Sequence, residues 1–212
     1  MMPEQRANSS GEGGQPEPAH VEVTASHSRR GDGLQELNSF AVVTYIPDPL
    51  GAFLDELRRE LQPNCIPHAH MTILPSRPLE LPVEQAWSLI CERAARFPVF
   101  EVEPAEIEVF ENTLVAYIGV RKGRQELVRL HDALSEGPLW FAEPYPYHPH
   151  ITVAQEFAPE QMWEIAERAR RRWAECPYPR SFLVDSLTIV RATADNRWLD
   201  LASCRLGAAC AR

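Results

Sequence analysis

The chain of 212 residues lacks any long apolar run, and no apolar stretch near its N-terminus resembles a secretion signal. A membrane-spanning helix needs about 20 mostly apolar residues, so neither membrane insertion nor export is expected. The five cysteines are scattered and form no Cys-x-x-Cys pair, which argues against a disulfide framework and against a cysteine zinc site. We therefore expect a cytoplasmic protein with reduced thiols.

Positive charge is also scarce, since the chain has 21 Lys and Arg but 30 Asp and Glu, which gives a net charge of −9. Proteins that bind long nucleic acids usually present a basic face. No extended nucleic-acid surface is therefore expected, whereas a local basic pocket for a small anion or a short RNA end is compatible with this balance. The basic run at 168–172 is interpreted as a solvated helix face.

Composition divides the chain into three parts. Residues 1–35 are rich in Gly, Pro, Ser and Glu and predict a disordered tail. Residues 36–206 predict one domain, and residues 207–212 a frayed terminus. Within the domain, apolar periodicity predicts an α+β order: strand 40–46, helix 51–61, a motif strand, helix 83–97, strands 99–110 and 113–120, helix 124–135, a second motif strand, a helix from Pro159, and strands 180–192 and 197–205.

Two similar seven-residue stretches, HAHMTIL at 68–74 and HPHITVA at 148–154, lie in the motif strands. Residues two apart on a strand share a face, so His70 and Thr72 are neighbours about 6–7 Å apart. His150 and Thr152 repeat this arrangement. The residues between them are apolar and are expected to pack under helices. Both motif strands lie between two helices, which suggests an internal duplication.

A pseudo-twofold arrangement would bring both His-x-Thr pairs to one cleft. Imidazole titrates near pH 6.5, so one neutral histidine can take a proton from water while a protonated one gives a proton to a leaving oxygen. The threonine hydroxyls can bind the oxygens of a phosphate between them. This set of groups predicts acid–base cleavage of a phosphodiester without a metal or other cofactor.

Paired His-x-Thr-apolar strands about eighty residues apart resemble the 2H phosphoesterase superfamily, in its 2′-5′ RNA ligase-like and cyclic phosphodiesterase branch. The resemblance covers about residues 38–206. It implies two lobes of antiparallel sheet with outer helices, a site in the groove between the lobes, and hydrolysis of cyclic phosphodiesters such as 2′,3′-cyclic phosphates of nucleotides or RNA ends. His70, Thr72, His150 and Thr152 are the catalytic residues that it implies.

One position departs from the family pattern. Members often have a basic residue soon after the second motif, where this chain has Gln155. We therefore expect the phosphate charge to be met elsewhere, with Arg77 or Arg191 as candidates, or the substrate to differ.

Four further residues are candidates for contacting substrate. His68 and His148 share the parity of the motif histidines, although neighbouring prolines favour irregular strand starts and a position at the edge of the site. Tyr145 and Tyr147 lie in an aromatic loop that leads into the second motif, where rings could stack a base or could anchor the loop on the core.

Three alternatives remain open beside the cyclic phosphodiesterase. The doubled His-x-His pattern could bind a metal in a metal-dependent hydrolase, although no carboxylate ligand is evident beside it. The cleft could bind nucleotides without turnover. A 2′-5′ RNA ligase could use the same fold. A monomer is expected in each case.

Overall fold

The computed structural model describes residues 36–195 and 197–207. All of them belong to one compact unit. The tail predicted for residues 1–35 and most of the predicted frayed terminus lie outside the described residues, so the predicted domain limits stay a prediction.

Eight strands and four α-helices make up the described chain. In chain order they are β1 (Glu36–Tyr45), α1 (Leu50–Leu61), β2 (His70–Arg77), α2 (Val83–Ala94), β3 (Phe100–Phe110), β4 (Val115–Lys122), α3 (Arg124–Leu134), β5 (Ile151–Ala154), α4 (Met162–Ala174), β6 (Phe182–Val184), β7 (Ser186–Thr193) and β8 (Trp198–Arg205). Short 3₁₀ turns at Gly137–Leu139 and Pro159–Gln161 precede β5 and α4. The predicted helices are all present.

The strands form two antiparallel four-stranded sheets, in the orders β2-β1-β7-β8 and β5-β4-β3-β6. The motif strands, β2 and β5, are therefore edge strands. β2 pairs with the inner strand β1, and β5 pairs with the inner strand β4. The two motif strands also contact one another. This arrangement confirms the predicted α+β fold of two lobes with outer helices.

The helices link the two lobes crosswise. Helix α1 follows β1 of the first sheet but packs against β5 of the second, while α3 follows β4 of the second sheet and packs against β2 of the first. Gly123 turns the chain into α3 with a φ of +85°, and a Cβ there would lie 2.6 Å from the Glu101 carbonyl oxygen. Glycine suits this turn because it adopts positive φ without a steric cost.

The single strand predicted over 180–192 is wrong, because two strands in different sheets occupy this segment. β6 pairs with β3, and β7 pairs with β1. The residues of the main core are even-numbered before Asp185, at Phe182 and Val184, and odd-numbered after it, at Leu187 and Ile189. Val190 is also buried, but it belongs to a separate small cluster. This slip of the two-residue period marks the crossing from one lobe to the other.

Candidate active site

The two motifs have the same burial pattern, residue for residue. Met71 and Ile73 in β2, and Ile151 and Val153 in β5, are at most 2 % exposed beneath the helices. The histidine and threonine of each motif, which alternate with these residues, are only partly buried. The predicted alternation of faces is therefore present in both strands.

Each motif histidine makes the same backbone hydrogen bond. Nδ1 of His70 lies 2.6 Å from the His68 carbonyl oxygen, and Nδ1 of His150 lies 2.6 Å from that of His148. A carbonyl oxygen only accepts, so Nδ1 carries the hydrogen in both rings. Nε2 is then the nitrogen with the available lone pair in each motif, which is the form that a general base needs.

Burial lowers the pKa of both motif histidines. The pKa of His70 falls to about 4, chiefly through burial, with smaller contributions from the nearby charges of Arg58, His68 and His150. The pKa of His150 is also lowered by burial and by His148, while the bond to the His148 carbonyl opposes the shift. Both rings are therefore neutral in the unliganded protein at neutral pH, and a positive charge on His150 would oppose protonation of His70.

A tyrosine on the neighbouring strand lies beside each motif, and the sequence did not predict either one. Tyr45 pairs with His70 across β1 and β2, and Tyr117 pairs with Thr152 across β4 and β5. Residues opposite each other in an antiparallel pair project to one face, so both tyrosines line the motif face. Only the pairing register reveals them, and no local sequence signal does.

Each of these tyrosines donates a hydrogen bond to a carboxylate. The Tyr45 hydroxyl lies 2.5 Å from Asp200 Oδ1, and that of Tyr117 lies 2.9 Å from Glu108 Oε2. Burial and the carboxylate raise the pKa of Tyr117 to about 12 and raise that of Tyr45 as well. Both phenols therefore stay protonated donors throughout the physiological pH range.

The flanking histidines lie before the strands, as their neighbouring prolines indicated. His68 is exposed and stacks on Tyr45 with ring centroids 3.7 Å apart. His148 packs edge-on against Phe110 at 5.2 Å, and its ring nitrogens lie 3.3–3.5 Å from the Arg124 guanidinium. Both stand at the rim of the motif face, and direct contact with substrate stays a prediction for them.

A polar network covers the free edge of β2. The Tyr147 hydroxyl donates to the Thr72 carbonyl at 2.8 Å, and His131 Nδ1 donates to the Ile73 carbonyl at 2.8 Å. The two rings stack with centroids 3.9 Å apart. An edge strand otherwise exposes these carbonyls, so the contacts fix β2 in place. Tyr147 is held here by the fold, and its proposed role in stacking a base is not supported by this geometry.

Arg77 is part of the same network and is 4 % exposed. It pairs with Glu143 and donates to Ser135 Oγ and the Leu139 carbonyl, each at 3.2 Å. Arg191, in β7, pairs with Glu36 at the start of β1, the end of that strand opposite Tyr45.

Strand register places Arg77 and Arg191 far from the motif histidine. Phe40 pairs with both arginines, whereas Tyr45 pairs with His70. The offset along β1 corresponds to about 16 Å at the usual rise per residue. Neither guanidinium is therefore placed to meet a phosphate held beside His70.

A cavity of about 500 Å³ lies in the loop that precedes the second motif. Tyr145 lines it and is 56 % exposed, and so does Trp140, which is 67 % exposed. Its walls include neither motif histidine. Base stacking by Tyr145 stays a prediction.

Groups of metal ligands and membrane-spanning helices are both missing among the described residues. In the described part of the chain, no group of three or more His, Cys, Asp and Glu side chains could hold a metal ion. Among the helices of residues 36–195 and 197–207, none is both long and apolar enough to cross a bilayer.

Comparison with known proteins identifies relatives of the whole domain. The sequence model of the 2′-5′ RNA ligase superfamily matches residues 46–196. No curated protein matches the chain. The fold is similar to that of a solved phosphoesterase, with a TM-score of 0.55 and 19 % identity over 82 % of this chain and 99 % of that one.

Two further solved structures are similar at the same level. LigT of E. coli, complexed with 3′-AMP, has a TM-score of 0.54 and 18 % identity over 82 % of this chain and 99 % of its own. TT0787 of Thermus thermophilus has a TM-score of 0.53 and 18 % identity over 80 % of this chain and 98 % of its own. LigT has also been solved with ATP and with phosphate. At these identities the likeness shows a shared fold.

Proposed function

The chain belongs to the 2′-5′ RNA ligase superfamily of 2H phosphoesterases, and from this premise we propose that it hydrolyses 2′,3′-cyclic phosphates of nucleotides or of RNA ends. The observation that carries the proposal is the matched state of two histidines at the starts of contacting strands. Nδ1 of His70 and of His150 is bonded to backbone, which leaves Nε2 of each ring for chemistry. Nucleotides bound to LigT, a protein of similar fold, are consistent with a nucleotide substrate.

In the proposed reaction, one neutral histidine takes a proton from water as the water oxygen attacks phosphorus. The bond from phosphorus to one ribose oxygen breaks, and the other histidine, protonated, gives its proton to that oxygen. The product is a phosphomonoester beside a free hydroxyl. Thr72 and Thr152 donate hydrogen bonds to the non-bridging oxygens, where negative charge increases in the transition state.

The acid must be protonated although both histidine pKa values are lowered in the unliganded protein. An anionic phosphodiester between the rings favours the charged imidazolium and raises both pKa values. Substrate binding therefore prepares the acid, and the site needs no permanently charged histidine.

The proposal is tested by hydrolysis of 2′,3′-cyclic AMP and GMP, with and without excess EDTA, by wild type and the His150→Asn variant. Asparagine keeps an N–H for the His148 carbonyl and lacks the Nε2 atom, so its loss of activity is not a loss of fold. We expect turnover that resists EDTA and is lost in the variant.

Other outcomes would assign the site differently. Turnover abolished by EDTA would favour a metal-dependent hydrolase. Nucleotide binding without product would indicate a binding module. RNA with a 2′,3′-cyclic end and RNA with a 5′-hydroxyl end, added together, would reveal ligation as a 2′-5′-joined product.

A further inference from the structure

Helix α1 packs against the second motif strand, β5, and its polar residues bind the backbone beside both motifs. Asp55, Arg58 and Gln62 follow the spacing that places helical residues on one side. The Asp55 carboxylate accepts a hydrogen bond from the Ala69 backbone, directly before β2. The Gln62 side chain donates to the Gln155 carbonyl at 2.5 Å and accepts from the Gln155 N–H at 3.1 Å, directly after β5. Arg58 lies between these two anchors along the chain, near enough to His70 for its charge to act on that ring.

The Arg58 guanidinium has an unsatisfied donor. Its Nε is buried and has no hydrogen-bond partner among the described residues. A buried donor without an acceptor costs about 1–3 kcal/mol, so such a group calls for a functional explanation. The charge of Arg58 also reaches His70, where it helps to lower the imidazole pKa.

The motif groups themselves supply little positive charge. Both histidines are neutral in the unliganded protein, and the threonine hydroxyls are uncharged. Arg77 and Arg191 are already paired with Glu143 and Glu36, away from His70. Gln155 follows β5, where family members often have a basic residue, and its amide carries no charge to attract an anionic substrate.

We propose that Arg58 binds the phosphate held between the two motifs, so that α1 supplies from outside both motifs the cation that the motifs themselves lack. The inference rests on the proposed function only in placing a phosphate between the motifs. Arginine suits the role because its planar set of N–H donors matches phosphate oxygens and its charge persists at every physiological pH.

The test is titration with inorganic phosphate, followed by the ring NMR signals of His70 and His150, in wild type, Arg58→Gln, Arg58→Lys and Arg59→Gln. Arg59 is the matched control, because it is the next arginine of the same helix and is exposed. Loss of a charge-assisted hydrogen bond predicts about tenfold or more weaker phosphate binding by Arg58→Gln. Arg58→Lys should recover part of the affinity, and Arg59→Gln should stay within about twofold of wild type.

The free-state pKa of His70 provides a second readout, since it should rise in Arg58→Gln and not in Arg59→Gln. Phosphate affinity in Arg58→Gln equal to that of wild type, or no perturbation of the two rings by phosphate in wild type, would overturn the inference. Phosphate binding that depends on Arg58, without hydrolysis of 2′,3′-cyclic AMP, would support the inference and overturn the proposed reaction instead.

Discussion

The first motif strand, β2, runs over His70–Arg77 and is fixed along its free edge by Tyr147 and His131, whereas the second, β5, spans only Ile151–Ala154. The histidine of each motif nevertheless makes the same kind of hydrogen bond, from Nδ1 to a backbone carbonyl at 2.6 Å, and each keeps Nε2 free. The local sequence therefore sets the tautomer in both lobes. The surroundings differ, and they determine how easily each ring is protonated.

The charges around the two rings separate their roles. Arg58, His68 and His150 oppose protonation of His70, whereas His148 is the charge that opposes protonation of His150. A ring kept neutral is suited to take a proton, and a ring that is easier to protonate is suited to give one. This comparison favours His70 as the base and His150 as the acid.

The largest expected effect separates these two roles. His70→Asn and His150→Asn should each lower the hydrolysis of 2′,3′-cyclic AMP by about 10²–10⁴-fold, the usual contribution of a general acid or base. A p-nitrophenyl phosphodiester has a leaving group that departs without a proton, so it should restore much of the rate to His150→Asn and little to His70→Asn. The reverse pattern of rescue would exchange the assignments.

A second prediction concerns the network that exists only beside β2. Arg77→Met leaves the half-buried Glu143 without its arginine, with only His131 Nε2 nearby at 3.6 Å. It should lower the free energy of unfolding, measured by urea denaturation, by up to about 3–5 kcal/mol, the cost of breaking a fully buried pair. The double change Arg77→Met with Glu143→Leu removes both charges and should lose much less. If Arg77→Met kept wild-type stability and raised KM for the cyclic nucleotide, Arg77 would be a substrate ligand, as the sequence suggested.

The smallest effect is a shift in the pH profile. The base must be neutral, so kcat/KM should rise with pH through the His70 pKa of about 4. The acid must be protonated, so kcat/KM should fall as pH rises through the His150 pKa, which lies below its ordinary value near 6.5. The maximum is therefore expected below pH 6.5. A plateau extending above pH 7 would show that the rings are not desolvated as described.

Short-range periodicity predicted the α+β order, the helices and the alternation in both motifs, whereas the two lobes were implied by the resemblance to 2H phosphoesterases. Neither could show that α1 packs against β5, because that contact joins Gln62 to Gln155, which are 93 positions apart in the sequence. The role of Arg58 depends on this contact. The sequence could not predict the burial of Arg77 either, because its partner Glu143 lies in a loop without periodicity.

The pairing register explains the remaining misses. Tyr45 and Tyr117 lie beside the motifs only because β1 and β4 pair with them in a particular alignment. The crossing at Asp185 was equally hidden in the sequence, because apolar residues occupy both parities around it: Leu183 is exposed, whereas Ile189 and Val190 are both buried.

The most direct test of the account is the rate of the His70→Asn/His150→Asn double variant, compared with both single variants on 2′,3′-cyclic AMP. Two groups that act in one step on one phosphate give losses that do not multiply. The account predicts a double variant about as slow as the slower single variant. A double variant slower by the product of the two single losses would mean that the histidines act independently and would contradict a shared site between the lobes.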